Sequence, residues 1–177
     1  GSTVLDMSYI DKAPIKGYPF LLITGVKFPD CNTDGLPVET AFEQLYMLSD
    51  KIKNVIDFNF KSKFVGTFTY HCERLDYYYL TDTIKLRERL NSVYETDFPK
   101  LKSIVKLKLD TNWDAYITFL YPNEETLEFM SNQKVILNLT NAGDNLTKSR
   151  KVDHWLYFNT STDRDKFAAF AETNKYI

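Results

Sequence analysis

The chain has 177 residues, with 22 Lys plus Arg against 24 Asp plus Glu, which gives a formal net charge of −2. This length is enough to bury a core, and the near-neutral charge disfavours a general nucleic-acid or membrane-surface binder. A hydrophobic fraction of 44% excludes disorder, the apolar runs are far shorter than the ~20 residues of a membrane span, and the aromatic fraction of 15% is high.

The first predicted elements are a strand and a helix. Apolar and β-branched residues predict a strand over residues 18–28. A loop over residues 30–36 follows, and Pro37 suits the first turn of a helix. Apolar residues then recur every three or four positions, as is typical of a helix with one buried face. They are Val38, Phe42, Leu45, Leu48, Ile52, Val55 and Ile56.

A hairpin, a second helix and a further strand come next. Residues 63–70 and 75–80 are rich in strand-forming residues, and the short connection between them predicts a hairpin. Asp82 can cap a helix that ends before Pro99 and carries a stripe of apolar side chains. The stripe consists of Leu86, Leu90 and Val93. Residues 101–109 then predict a strand in which lysines alternate with apolar residues.

The order strand, helix, hairpin, helix, strand is the βαββαβ pattern of a ferredoxin-like unit. In that topology the last strand lies at a sheet edge, where lysine side chains discourage pairing with other chains. The lysines that alternate along this strand are Lys100, Lys102, Lys106 and Lys108. The sequence therefore predicts an α+β fold that begins with a ferredoxin-like unit over residues 1–110.

The remaining residues, 111–177, predict a second and incomplete unit of order βαβα. It comprises a strand over residues 113–121, a helix from Glu124 to Ala142, a strand over residues 148–158 and a last helix that Ser161 caps. Gly143 suits the residue that follows the first of these helices. Only residues 110–112 connect the two units, so we expect them to pack closely.

Three local patterns in the first unit resemble domain-of-unknown-function family 695. They are Gly35-Leu36-Pro37, Arg74 with Tyr77-Tyr78-Tyr79, and Asp110-x-x-Trp113-x-x-Tyr116 with Pro122. The resemblance covers most of residues 18–122. It implies no established activity, but it makes Arg74, Tyr78, Trp113 and Tyr116 candidate binding residues.

A further motif near the C-terminus resembles the regulator of ribonuclease E activity B family. It runs Asp144-x-x-Thr147-x-x-Arg150-x-Val152-Asp153-His154-Trp155-x-Tyr157-Phe158 and is followed by Arg164-x-x-Phe167. The resemblance implies a small α+β inhibitor that binds a large endoribonuclease directly. Strand alternation places Arg150 and His154 on one face, so these two residues and Trp155 complete the candidate binding set.

No catalytic or metal-binding constellation emerges from the sequence. His71 and Cys72 are adjacent on a predicted hairpin, where neighbouring side chains point to opposite faces, and this disfavours a nucleophile–base pair. Two histidines and two cysteines without ligand spacing predict neither a zinc site nor a cofactor site. Cys31 and Cys72 lack C-x-x-C spacing, which favours unpaired cysteines in a reduced, cytoplasmic compartment and leaves a single bridge open.

The sequence thus predicts a non-enzymatic module that binds another protein through an open sheet face or a groove between the units. By resemblance, the partner would be a ribonuclease. One alternative is a small-ligand binder or enzyme with a pocket between the units that uses His154, Arg150 and Cys72. The other is single-stranded RNA binding by sheet aromatics, which the charge balance disfavours.

Overall fold

The chain folds as two units, which the computed structural model describes over residues 1–148 and 155–175. The units are Gly1–Leu127 and Glu128–Ile177. The boundary that we expected after Asp110 therefore falls inside the first unit. No helix among the described residues is long and apolar enough to span a membrane.

The first unit is organised around a five-stranded antiparallel sheet. Its strands are β1 (Ser2–Leu5), β2 (Phe20–Lys27), β3 (Ser62–Tyr70), β4 (Glu73–Leu80) and β5 (Lys102–Leu109), in the spatial order β1-β3-β4-β2-β5. β2 to β5 correspond to the predicted strands, and the lysine-bearing β5 does lie at an edge. β1 was not predicted, and it pairs with β3 to widen the sheet. The predicted α+β class is confirmed.

Two helices cover one face of this sheet, α1 (Phe42–Asn59) and α2 (Leu86–Asp97). The predicted apolar stripes are confirmed, since their central residues are buried together with the inward-facing residues of β2 and β4. The buried helical residues from these stripes are Leu45, Leu48, Ile52, Ile56, Leu86, Leu90 and Val93. Burial of these side chains fixes which side of each helix faces the sheet.

The opposite face of the sheet is covered by chain that we expected to form a strand. Residues 113–121 contain a π-helical turn, Ala115–Leu120, instead. The carboxylate of Asp110 starts this turn by accepting hydrogen bonds from the backbone N–H groups of Asp114 (2.9 Å) and Ala115 (3.0 Å). The aromatic residues of this segment pack on the sheet from outside, together with N-terminal residues such as Tyr9 and Ile10. Within the described residues, the expected open sheet face is therefore covered.

A disulfide bridge corrects our prediction that the cysteines are unpaired. Cys31 is bonded to Cys72, with their Cα atoms 5.6 Å apart. The hairpin turn consists of His71 and Cys72, both with positive φ (49° and 61°), which is the backbone of a type I′ turn without glycine. Backbone hydrogen bonds also hold the turn, because Cys72 donates to Gly35 O at 2.9 Å. The loop that contains Cys31 and the hairpin turn thus form one cross-linked corner.

The second unit contains the C-terminal part of α3 (Glu124–Asn141) and α4 (Ser161–Thr173). Both helices were predicted, and Gly143 has the expected positive φ of 87°. Thr160, rather than Ser161, caps α4, since its hydroxyl oxygen accepts a hydrogen bond from the N–H of Asp163 at 3.1 Å. The strand predicted over 148–158 lies partly outside the described residues, and its described end, 155–158, is irregular. In the predicted βαβα order, the first strand is wrong because residues 115–120 are π-helical, and the second strand lies largely outside the described residues.

Candidate functional site

The seven residues that the sequence indicates for binding occupy separate places. Arg74 and Tyr78 lie on β4, Trp113 and Tyr116 lie beneath the opposite face of the sheet, and Trp155 lies in the second unit. Arg150 and His154 lie outside the described residues. The structure therefore brings together two pairs, Trp113 with Tyr116 and Arg74 with Tyr78.

Trp113 and Tyr116 are core residues of the first unit. Both side chains are fully buried. The indole Nε1–H of Trp113 donates to the carbonyl of Tyr18 at 3.0 Å, and the Tyr116 hydroxyl donates to the carbonyl of Asp6 at 2.9 Å. Burial raises the pKa of Tyr116 to about 12, so its hydroxyl keeps its proton. Neither side chain is available to a partner, which corrects their selection as binding residues.

Arg74 and Tyr78, in contrast, line one groove between α1 and the outer strands of the sheet. Its volume is about 350 Å³. Alternation along β4 places Arg74, Asp76 and Tyr78 on the same side of the strand, facing α1. Helix α1 contributes residues spaced three, four and seven positions apart, which share one helix face. They are Tyr46, Ser49, Asp50 and Lys53.

The guanidinium of Arg74 is the main cationic group on the strand side of the groove. It lies over the ring of Tyr46, 5.2 Å from the centroid, in a cation–π contact. Among the described residues, its buried Nε atom has no hydrogen-bond acceptor. Guanidinium groups present a planar set of donors that matches a carboxylate. Within the part of the chain that the structure describes, one donor of this set, the buried Nε, is therefore unpaired.

Asp76 is the deepest carboxyl group of the groove, with only 4% of the residue exposed. It accepts a hydrogen bond from the Thr67 hydroxyl at 2.5 Å. Burial raises the pKa of Asp76, while hydrogen bonds from Thr67 and Ser49 and the positive charge of Arg74 oppose the rise. Proton uptake by Asp76 is therefore easier than by an exposed aspartate.

Tyr78 and Phe64 form the apolar floor of the groove. Their ring centroids lie 5.1 Å apart, and Tyr78 is almost fully buried. Burial also raises the pKa of the Tyr78 hydroxyl. The groove therefore combines an aromatic floor with charged groups of both signs along its walls.

Three residues that line the groove were not predicted from the sequence: Tyr46, Asp50 and Asp76. Asp76 carried a readable signal, because a carboxyl group that shares strand parity with Tyr78 and Leu80 is expected to face the core. No sequence pattern indicated Tyr46 or Asp50, because both lie on the polar face of the amphipathic helix α1. Their role depends on β1, which extends the sheet beyond α1.

The second unit presents a different surface, rich in exposed aromatic side chains. Trp155 is 79% exposed and Tyr157 is 91% exposed. α3 also exposes several large apolar side chains, including Phe129, Val135 and Leu137. Soluble proteins rarely leave contiguous apolar surface uncovered without a binding role. We refer to Trp155 and Tyr157 as the aromatic pair.

Comparison with known families agrees with the two resemblances seen in the sequence. Residues 130–176 match the family described as Regulator of ribonuclease activity B. Residues 2–121, more than half of the chain, match the family described as Family of unknown function (DUF695). No curated protein and no solved structure gives a significant match. The chain therefore belongs to the family of unknown function DUF695 and carries a C-terminal segment similar to the ribonuclease regulator family.

Proposed function

We propose that the protein is a regulatory module that binds another protein, a ribonuclease, through its C-terminal segment. The observation that carries the proposal is the exposure of Trp155 and Tyr157 inside the segment that matches the regulator family. The family name connects the segment with control of a ribonuclease. The exposed aromatic side chains are the type that contributes most to protein–protein binding.

The charge balance favours a protein over RNA as the direct partner. With 22 basic and 24 acidic residues, the chain has no excess of positive charge to attract phosphates. Aromatic residues alone support stacking with bases, but single-strand binders combine stacking with a positively charged groove. A protein surface therefore remains the better-matched partner.

The test is a binding measurement between the full chain and the purified endoribonuclease of the same host, by biolayer interferometry. We expect saturable binding by the wild type. The Trp155→Ala/Tyr157→Ala variant should weaken it at least roughly tenfold, because truncation of central interface aromatics commonly costs more than 1 kcal/mol each.

A matched control is available in the first unit. Phe58 on α1 is 90% exposed, as the aromatic pair is, but lies outside the segment that matches the regulator family. Phe58→Ala should leave binding unchanged. Absence of binding by the wild type, or equal loss with Phe58→Ala, would contradict the proposal. Binding to RNA alone, with a steep salt dependence, would instead support the RNA alternative.

A further inference from the structure

The groove beside α1 exists because the sheet is wider than its helical cover. A helix is about 10 Å across and neighbouring strands are about 4.8 Å apart, so two helices cover about four strands. β1 adds a fifth strand next to β3, and Val4 of β1 lines the groove opposite α1. The outermost strands thus extend past α1 and leave a recess. Every residue that lines this recess belongs to the first unit.

The charges of the groove favour a ligand that carries both signs. Lys53 and Arg74 are positively charged, whereas Asp50 and Asp76 are carboxyl groups. Lys53 is already engaged in an ion pair with Asp57. A ligand of one charge would meet groups of its own sign, and like charges at close range are unfavourable. A zwitterion would instead find a partner for each of its charged groups.

The positions of these groups indicate how such a ligand would lie. Arg74 lines the groove with its guanidinium over the ring of Tyr46, while its unpaired Nε is buried from solvent. A ligand carboxylate would accept from this guanidinium in the charge-assisted geometry that arginine favours. Asp50, exposed on α1 one turn after Tyr46, would accept from a ligand ammonium group.

The size and the floor of the groove restrict the rest of the ligand. Its volume of about 350 Å³ lies near the lower end of the range of ligand pockets, about 300–1,000 Å³. The Phe64 and Tyr78 rings offer an apolar contact for a side chain. Nucleotide-sized cofactors are poorly matched, because the groove lacks a cluster of donors for several phosphates.

From this arrangement we infer that the groove is a binding site for a free α-amino acid with an apolar or aromatic side chain. Its carboxylate pairs with Arg74, its ammonium group pairs with Asp50, and its side chain lies on Phe64 and Tyr78. Asp76, which accepts a hydrogen bond from Thr67, adds a carboxyl group to the strand side of the groove near the positive charge of Arg74.

The experiment is an NMR titration of the full chain with phenylalanine and with two analogues, each of which lacks one charged group. 3-Phenylpropionate lacks the ammonium group, and phenethylamine lacks the carboxylate. We expect phenylalanine to cause saturable chemical-shift changes at the groove residues. Each analogue should bind at least roughly tenfold more weakly than phenylalanine, because it loses one charge-assisted hydrogen bond.

Two variants assign the charged contacts separately. Arg74→Gln should weaken phenylalanine and 3-phenylpropionate but not phenethylamine, whereas Asp50→Asn should weaken phenylalanine and phenethylamine but not 3-phenylpropionate. Arg87→Gln is the matched control, because Arg87 lies on α2 and donates to the carbonyl of Val105 outside the groove. It should bind phenylalanine as the wild type does.

Several results would overturn the inference. They are the absence of saturable shifts with phenylalanine, binding of either analogue as tightly as phenylalanine, and unchanged phenylalanine binding by a folded Arg74→Gln variant. Should Arg74→Gln fail to fold, Asp50→Asn decides the question, because Asp50 is exposed and its substitution leaves the core intact. Unchanged phenylalanine binding by Asp50→Asn would then reject the site.

Discussion

The indole ring of Trp113 lies flat on the ring of Tyr79, with centroids 4.0 Å apart and the two planes inclined by 5°. The Tyr79 hydroxyl donates to the carboxylate of Asp110 at 2.7 Å, and the same carboxylate starts the π-helical turn that follows Trp113. Burial opposes the ionised form of Asp110, but its hydrogen bonds outweigh burial and lower its pKa. One stacked pair and one carboxylate thus fasten residues 110–121 to the sheet.

Substitution of Trp113 tests whether these contacts hold residues 110–121 on the sheet. Trp113→Ala should lower the free energy of unfolding by about 3–5 kcal/mol, because it removes a fully buried aromatic side chain and leaves a cavity. Urea denaturation followed by circular dichroism measures the change. Trp155→Ala is the control, since Trp155 is largely exposed and its loss should change stability by about 0.5 kcal/mol or less. Equal effects of the two substitutions would contradict the assignment of Trp113 to the core.

The disulfide bridge predicts a redox dependence of stability. It links residues 41 positions apart, and closing a loop of this length commonly stabilises a fold by about 2–4 kcal/mol. We expect dithiothreitol to lower the melting temperature of the wild type. A Cys31→Ser/Cys72→Ser variant should melt at the lower temperature with or without the reductant. If dithiothreitol leaves the melting temperature of the wild type unchanged, the bridge does not form.

Asp76 predicts a dependence of stability on pH. Its pKa is raised by burial, so the folded protein binds a proton more tightly than the unfolded chain does. Stability from this group is therefore fully present below the ordinary aspartate pKa of 3.8, and it is lost as the pH rises through the raised value. In this pH range, the free energy of unfolding of the Asp76→Asn variant should depend less on pH than that of the wild type.

The measurement for Asp76 is urea denaturation at several pH values on the wild type and on Asp76→Asn. As the pH rises above 3.8, the unfolding free energy of the wild type should fall relative to that of Asp76→Asn. Asp57→Asn provides a comparison, because Asp57 is a partly exposed carboxylate paired with Lys53 at the surface. A difference that is constant with pH would indicate that Asp76 titrates as an ordinary aspartate.

The elements with strong hydrophobic periodicity could be predicted from the sequence. Leu45, Leu48, Ile52 and Ile56 repeat at helical spacing, and their burial against the sheet follows directly from that spacing. The division of Tyr77, Tyr78 and Tyr79 between the two faces follows from strand alternation, and the structure places Tyr78 on one side and the other two on the opposite side.

The π-helical turn and the disulfide could not be predicted in the same way. The aromatic content of residues 113–121 is typical of a strand. Strand propensity reflects how a side chain packs on a pleated surface. In this segment the aromatic side chains instead pack onto the face of a sheet that other residues form. The pairing of Cys31 with Cys72 depends on a loop and a hairpin turn that meet only in the folded chain. Of the candidate site, Arg74 and Tyr78 were indicated by the resemblance to family 695. The recess itself depends on β1, which short local patterns do not reveal.

If the C-terminal segment regulates a ribonuclease, as proposed above, the full chain should change the activity of that enzyme. The most direct measurement is the rate at which the purified host endoribonuclease cleaves a fluorogenic RNA, with increasing amounts of the full chain. We predict that the wild type lowers this rate to a saturating limit and that Trp155→Ala/Tyr157→Ala requires a higher concentration for the same effect. A cleavage rate that stays unchanged at saturating wild-type protein would contradict the claim.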